Sequence, residues 1–244
     1  MHTNTVLITG ASRGIGAAIA RRFATEGCNL VLNCSHSADT LYALAGELKN
    51  TCAVQCLCCI GDIGNFDFVK TMFQEAEKAF GGVDILINNA GISHIGLLTD
   101  MDITDWNRIV ATNLTSVFST CKCAVPYMVH KKSGKIINIS SVWGLVGASC
   151  EVAYSACKGG INAFTKALAK ELAPSCIQVN AIACGVIDTE MNACFSPEER
   201  KELEDDIPAG RYGTPEEVAE LTFCLATGHS YLTGQVITLD GGWI

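Results

Sequence analysis

The chain has 244 residues, 49% of them hydrophobic, and a formal net charge of −8. That length and apolar content suit one large α/β domain or two small ones with a substantial core. An acidic balance with no basic block argues against nucleic acid as the main partner, and no run of about 18 apolar residues suggests a membrane span.

The opening, MHTNTVLITG, enters a strand almost at once, which leaves no room for a signal peptide and predicts a cytoplasmic protein. Thr5 to Thr9 (TVLIT) is a short continuous apolar run, as in a strand buried on both faces. Gly10, Gly14 and Gly16 follow in TGASRGIG, and AAIARRFATEG then reads as a helix closed by Gly27. Strand, glycine turn and helix in succession let backbone approach a pyrophosphate at a helix N-terminus. The spacing is G-x-x-x-G-x-G rather than the commoner dinucleotide fingerprint.

Asn29 to Cys34 (NLVLNC) is the second predicted strand. Many nicotinamide enzymes place an acid at its end to hold ribose hydroxyls. Asn33, Cys34, Ser35 and His36 stand there instead. Arg13, with Ser35 and His36, could face a ribose 2′-phosphate, because the guanidinium fork matches phosphate oxygens. Arg13 could equally be a solvated turn residue. The missing acid tilts the choice towards NADP.

A helix from about Ala38 to Lys49 leads to the third strand, AVQCLCCI. The chain carries fourteen cysteines, but Cys56, Cys58 and Cys59 lie in this β-like run and Cys121 and Cys123 in a helical stretch. Neither group has the paired spacing of a zinc site, so the thiols read as small apolar filler in a reducing compartment and no metal is expected. Asp62 follows the third strand. It could accept a hydrogen bond from an adenine amino group or cap the helix that starts near Asn65. The fourth strand (VDILIN) ends in Asn88, Asn89, Ala90 and Gly91, small and amide residues suited to close backbone approach to a cofactor or to a simple turn.

Asp105 to roughly Val129 is a long helical pattern interrupted by Pro126. Asn113 lies in its apolar stretch VATNLTSVF, where a buried amide needs partners, either in a polar site or as a structural bond. Lys135 to Ser140 (KIINIS) is a fifth strand that delivers Ser141 to its carboxyl end. Then come a helix closed by Pro174, a sixth strand (IQVNAIA), an acid-rich stretch from Cys184 to Asp206, and a last helix from Thr214. Gln235 to Leu239 (QVITL) is the seventh strand. The acid-rich stretch, about 184–210, is the expected substrate lid. Strands alternate with helices without linker or repeat. The expected fold is therefore one Rossmann-type, doubly wound α/β domain, a seven-stranded parallel sheet with helices on both faces.

Tyr154 and Lys158 stand four residues apart on one face of the helix after the fifth strand. An ammonium beside a phenol should draw its pKa down from about 10, so that Tyr154 could pass a proton to a carbonyl oxygen or take one from an alcohol. Ser141, thirteen residues earlier, could hydrogen-bond the same oxygen. Alone, this spacing is also that of an exposed Tyr and Lys on an ordinary helix.

Together, the motifs resemble the short-chain dehydrogenase/reductase family over Thr5 to Trp243. T-G-x-x-x-G-x-G matches Thr9 to Gly16, N-N-A-G matches Asn88 to Gly91, and the family's catalytic Asn, Ser, Tyr and Lys match Asn113, Ser141, Tyr154 and Lys158. Within the family the chain is most similar to bacterial 3-oxoacyl-acyl-carrier-protein reductases, which are usually homotetramers using NADPH. The resemblance implies that Tyr154 protonates the substrate oxygen, Ser141 orients it, Lys158 binds the nicotinamide ribose and Asn113 holds a water of the proton relay. It also implies a cofactor shell of Gly10, Ser12, Arg13, Gly14, Ile15, Gly16, Asn33, Ser35, Asp62, Ile63, Asn89, Ala90, Gly91, Gly185, Ile187 and Thr189. Arg13, before the second glycine, typically marks NADP. A nucleotide-sensing regulator on this fold usually lacks the Tyr or the Lys, and both are present.

Three departures stand out. The family's Pro-Gly after the sixth strand is Cys184-Gly185. Ser175-Cys176 replaces a basic residue often used against the acidic carrier, although Lys131, Lys132 and Lys135 remain near the other expected contact. Glu151 stands three residues before Tyr154, where a neutral side chain is commoner, and is a candidate substrate contact. The segment SSVWGLVGASCEVAYS resembles a Firmicutes branch proposed to reduce a 5-aminopentanone group on translation elongation factor P.

Overall fold

The computed structural model describes residues 3–193 and 195–244. The strands are β1 (Thr5–Ile8), β2 (Asn29–Cys34), β3 (Cys56–Ile60), β4 (Ile85–Asn88), β5 (Gly134–Ser141), β6 (Ile177–Cys184) and β7 (Val236–Leu239). They form one parallel sheet in the order β3-β2-β1-β4-β5-β6-β7. The helices are α1 (Gly14–Ala24), α2 (Ala38–Cys52), α3 (Phe66–Phe80), α4 (Ile103–Val110), α5 (Ser116–Lys131), α6 (Trp143–Val146), α7 (Val152–Leu172), α8 (Pro197–Asp206) and α9 (Pro215–Thr227). Among the described residues no helix is long and apolar enough to cross a membrane.

The continuous apolar runs become central strands because successive side chains must be buried on opposite faces. Val6 and Ile8 of β1 pack with Ile19 and Phe23 of α1 and Leu225 of α9 on one side. Leu7, between them, packs with Val69 and Met72 of α3 and Met128 of α5 on the other. The chain winds outward from β1 through β2 to β3, then crosses back to β4 on the other side of β1. That reversal opens a crevice at the carboxyl ends of β1 and β4, the position at which such sheets bind ligands.

Pro126 does not interrupt its helix, which runs on to Lys131. The burial of Val117, Cys121, Ala124 and Met128 outweighs one lost backbone bond. The irregularity lies upstream, where Ala111–Thr115 form a π-helical turn between α4 and α5. Such turns insert one residue into the helical register and are frequent at functional sites. The stretch read as a lid contains a short turn, Glu190–Asn192, and then α8, which Ser196 opens with a capping box to Glu199. Residue 194, within that stretch, lies outside the described residues.

Candidate active site

β5 carries Ser141 to the carboxyl edge of the sheet, in register with Cys184 at the end of β6. The Ser141 hydroxyl accepts a hydrogen bond from the Trp143 amide at 3.2 Å and is bonded to the side chain of Tyr154. Tyr154 lies in the first turn of α7, and Lys158 follows one turn later. Lys158 Nζ is 5.4 Å from the centre of the Tyr154 ring and donates to the Ile139 carbonyl at 2.7 Å. The helix can sit this close because residue 144 is glycine. A Cβ there would lie 2.6 Å from the Lys158 carbonyl carbon.

Asn113 occupies the π-helical turn and is fully buried. Its Oδ1 accepts from the Ile92 amide and its Nδ2 donates to the Ile92 carbonyl, both at 2.8 Å. The side chain thereby pins the strand-end segment N-N-A-G to the helix. A Cβ on Gly91 would lie 3.6 Å from Asn113 Oδ1 and 3.7 Å from Lys158 Nζ, so this glycine is the joint where the two meet. The fold thus brings together all four residues matched to the catalytic positions. The amide's structural bond and its place at the site are the same arrangement.

Electrostatics here differ from the expectation for an isolated pair. Burial lowers Lys158 from 10.5 to about 8, partly opposed by the thiols of Cys184 and Cys157. Burial also pushes the Tyr154 phenol up, with Cys184 and Glu151 adding to the rise and the Ser141 hydrogen bond opposing it. The expected lowering by Lys158 does not appear. The cost of desolvating a phenolate exceeds the attraction of an ammonium placed over the ring face. Tyr154 therefore keeps its proton at neutral pH. Cys184, in place of proline, is held neutral by burial, which pushes its thiol up to about 12.

The Lys158 shift has a stability consequence. Between pH 8 and 10.5 the unfolded chain binds the proton that the folded chain has released, so this group's contribution to stability falls as pH drops through that window. Lys158→Met should gain on the unmodified protein by up to about 3 kcal/mol as pH falls from the top of the window to the bottom. Urea unfolding of both proteins across the range checks this, and a pH-independent difference would refute it.

The glycine turn is braced by the fourth strand. Asn89 Nδ2 donates to the Thr9 and Gly10 carbonyls at 2.9 and 3.0 Å, and the Thr9 hydroxyl accepts from the Asn89 and Ala90 amides at 3.0 Å. Gly10 has φ +64°, and Gly16 lies so close to the Gly10 carbonyl that a Cβ would stand 2.3 Å from it. Ser12 is buried and Ile15 packs against the core beneath. α1 opens with no side-chain cap and no acid in its first turn. Uncapped first-turn amides at a topological switch fit the pyrophosphate of a dinucleotide.

Asn33 is buried, and its Nδ2 donates to the Cys59 and Gly61 carbonyls at 3.1 Å, so this side chain ties β2 to β3. Ser35 and His36 remain exposed and are hydrogen-bonded to each other at 3.2 Å. Asp62 accepts from the Gly64 amide at 2.8 Å, whereas Asn65 caps α3, which removes the capping alternative for Asp62. Ile63 is buried beside this turn. Gly185 is anchored to β7 through the Leu239 carbonyl at 2.9 Å, so the loop departs from a fixed point although the preceding residue is not proline. Ile187 is buried and bridges to Gly213, and Thr189 stands against Gly14.

Glu151 precedes α7 but makes no side-chain cap. It is half-buried, accepts a hydrogen bond from the Trp143 side chain, and has its pKa raised chiefly by burial. Trp143 packs on Trp243 with ring centres 5.0 Å apart. The lysines read as a carrier contact lie elsewhere. Lys131 pairs with Asp84, and Lys135 reaches the His229 carbonyl at the amino end of β5. About 20 Å of strand separates that end from Ser141 of the same chain.

A buried polar chain escaped the sequence reading. Thr120 donates to Asn88 at 2.7 Å, Asn88 to Asn138 at 2.9 Å, and Asn138 to Thr165 at 2.8 Å, which links α5, β4, β5 and α7 beneath the site. The available signal was an asparagine at the end of one apolar strand and another inside the next, since a buried amide demands partners. Among the described residues no group of three or more side chains is placed to hold a metal.

Residues 4–200 match the short chain dehydrogenase family. A curated relative, the uncharacterized oxidoreductase YmfI of Bacillus subtilis, is 40% identical over 98% of both chains. The 3-oxoacyl-[acyl-carrier-protein] reductase FabG of Aquifex aeolicus is 39% identical over 97% of this chain and 95% of its own. Among solved structures, a candidate gluconate dehydrogenase from Agrobacterium tumefaciens superimposes with a TM-score of 0.93 at 33% identity, covering 98% of this chain and 95% of its own.

Proposed function

This chain belongs to the short-chain dehydrogenase family, and on that premise we propose that it is an NADPH-dependent ketone reductase that converts a 3-oxoacyl thioester on acyl carrier protein to the 3-hydroxyacyl thioester. The observation that carries the reading is Tyr154, hydrogen-bonded to Ser141 and set beside Lys158 at the carboxyl edge of the sheet. When bound, the cofactor supplies a hydride to the carbonyl carbon. Tyr154 Oη gives its proton to the carbonyl oxygen, and Ser141 Oγ holds that oxygen in place. Lys158, charged at neutral pH, holds the nicotinamide ribose, and Asn113 holds a water of the relay that returns the proton. Arg13, with no acid at the end of β2, favours NADPH. By likeness to the carrier-protein reductases, the enzyme works in the cytoplasm as a homotetramer. Rates on an acetoacetyl thioester with NADPH and with NADH test the reading, and equal use of the two cofactors would overturn the NADPH assignment.

A second substrate reading has one observation behind it. Glu151, bonded to Trp143 and backed by Trp243, places a carboxylate beside aromatic surface near Tyr154. That environment suits an ammonium group, as on an aminopentanone attached to elongation factor P. If Glu151 reads a cationic substrate, Glu151→Gln should lower kcat/KM on an amino-ketone about fivefold, and more at low salt, because the pair is partly solvated. The same variant should hold its rate on an uncharged thioester. Equal losses on both substrates would leave Glu151 structural.

A further inference from the structure

The segment after β6 folds back onto the glycine turn and takes the residue on which the cofactor choice rests. Arg13 Nη1 donates to Glu190 Oε2 at 2.7 Å, and the two side chains are 62% and 67% exposed. One residue away, Thr189 Cγ2 stands 3.3 Å from where a Cβ on Gly14 would lie, so the segment passes close over the turn beside this ion pair. The segment is itself well fixed. Asn192 Nδ2 donates to the Ile187 carbonyl at 2.7 Å, and Arg200 of α8 grips Asp188 with two bonds of 3.0 and 3.1 Å. Arg200 also stacks on Tyr212, 4.5 Å from its ring centre. A carboxylate carried on so anchored a turn is presented to Arg13 and is not a wandering surface acid.

Resting on the NADPH reading above, the geometry points to Glu190 as an internal competitor for the 2′-phosphate of the cofactor and so as a residue that sets cofactor discrimination. Glu190 and a ribose 2′-phosphate are both anions that seek the same guanidinium fork. When the phosphate takes Arg13, the Glu190 contact is given up or shared between two like charges, and either outcome subtracts from NADPH affinity. NADH carries no 2′-phosphate and leaves the Arg13–Glu190 pair in place. Glu190 thus moderates the preference that Arg13 creates. It also couples phosphate binding to the segment leading into α8, because the pair joins that segment to the turn.

Tryptophan fluorescence titration of the full chain with NADPH and NADH, without substrate, tests this. Glu190→Gln should tighten NADPH about three- to fivefold, the range open to an exposed ion pair, and leave NADH unchanged. In an Arg13→Ala background the same substitution should do nothing to either cofactor. Hydrogen exchange at 188–192 should be faster in the NADPH complex of the unmodified protein than in its NADH complex, because only the phosphate displaces Glu190 from Arg13. If the unmodified protein binds both cofactors equally, the NADPH reading itself fails. If it prefers NADPH and loses that preference in Arg13→Ala, but Glu190→Gln leaves NADPH affinity as it was or shifts both cofactors together, the competitor role alone is refuted.

Discussion

Tyr154→Phe should reduce turnover about 100- to 10,000-fold while leaving NADPH affinity nearly unchanged, because general acid catalysis contributes that much and only the hydroxyl is removed. The residue sits at the focus of the site. Its side chain is bonded to Ser141, and burial holds its proton in place at neutral pH. Phenylalanine keeps the ring that stands over Lys158, so helix and cofactor pocket should be preserved. Single-turnover reduction under saturating NADPH isolates the chemical step. A loss smaller than tenfold in that step would mean that another group delivers the proton.

Gly16→Ala should weaken both cofactors roughly 5- to 150-fold and lower the melting temperature by several degrees. The added methyl would meet the Gly10 carbonyl oxygen at 2.3 Å and the Asn89 amide nitrogen at 2.7 Å. The first is backbone, and the second is held by two hydrogen bonds to the same turn, so neither can yield without moving the turn. Forcing one carbon into such packing costs about 1–3 kcal/mol, which converts to the stated loss if it falls on the conformation that meets the pyrophosphate. For a chain of this size each kcal/mol moves the midpoint by about 2–4 °C. Calorimetric titration and thermal unfolding measure the two effects. Unchanged affinity beside a lowered midpoint would place the glycine in folding alone.

Much of this protein was determined locally. Continuous apolar runs such as Val6–Ile8, closed by a glycine turn, read as buried strands, and their alternation with amphipathic segments reads as a parallel sheet covered on both faces. The spacing of Tyr154 and Lys158 follows from helical geometry, and the glycine turn from the absence of side chains where backbones cross. What only the tertiary structure decided depends on neighbours distant in sequence. The proton affinity of Tyr154 reversed its expected direction, because desolvation is a property of everything packed around it. Asn33 turned inward to join two strands. Lys131 paired with Asp84 and Lys135 reached the His229 carbonyl, both near the amino end of β5, and a carboxylate 177 residues away closed on Arg13. Periodicity reports which face of an element is buried, but long-range packing selects the partners that face meets, and charge and hydrogen-bond partners set what each side chain can do there.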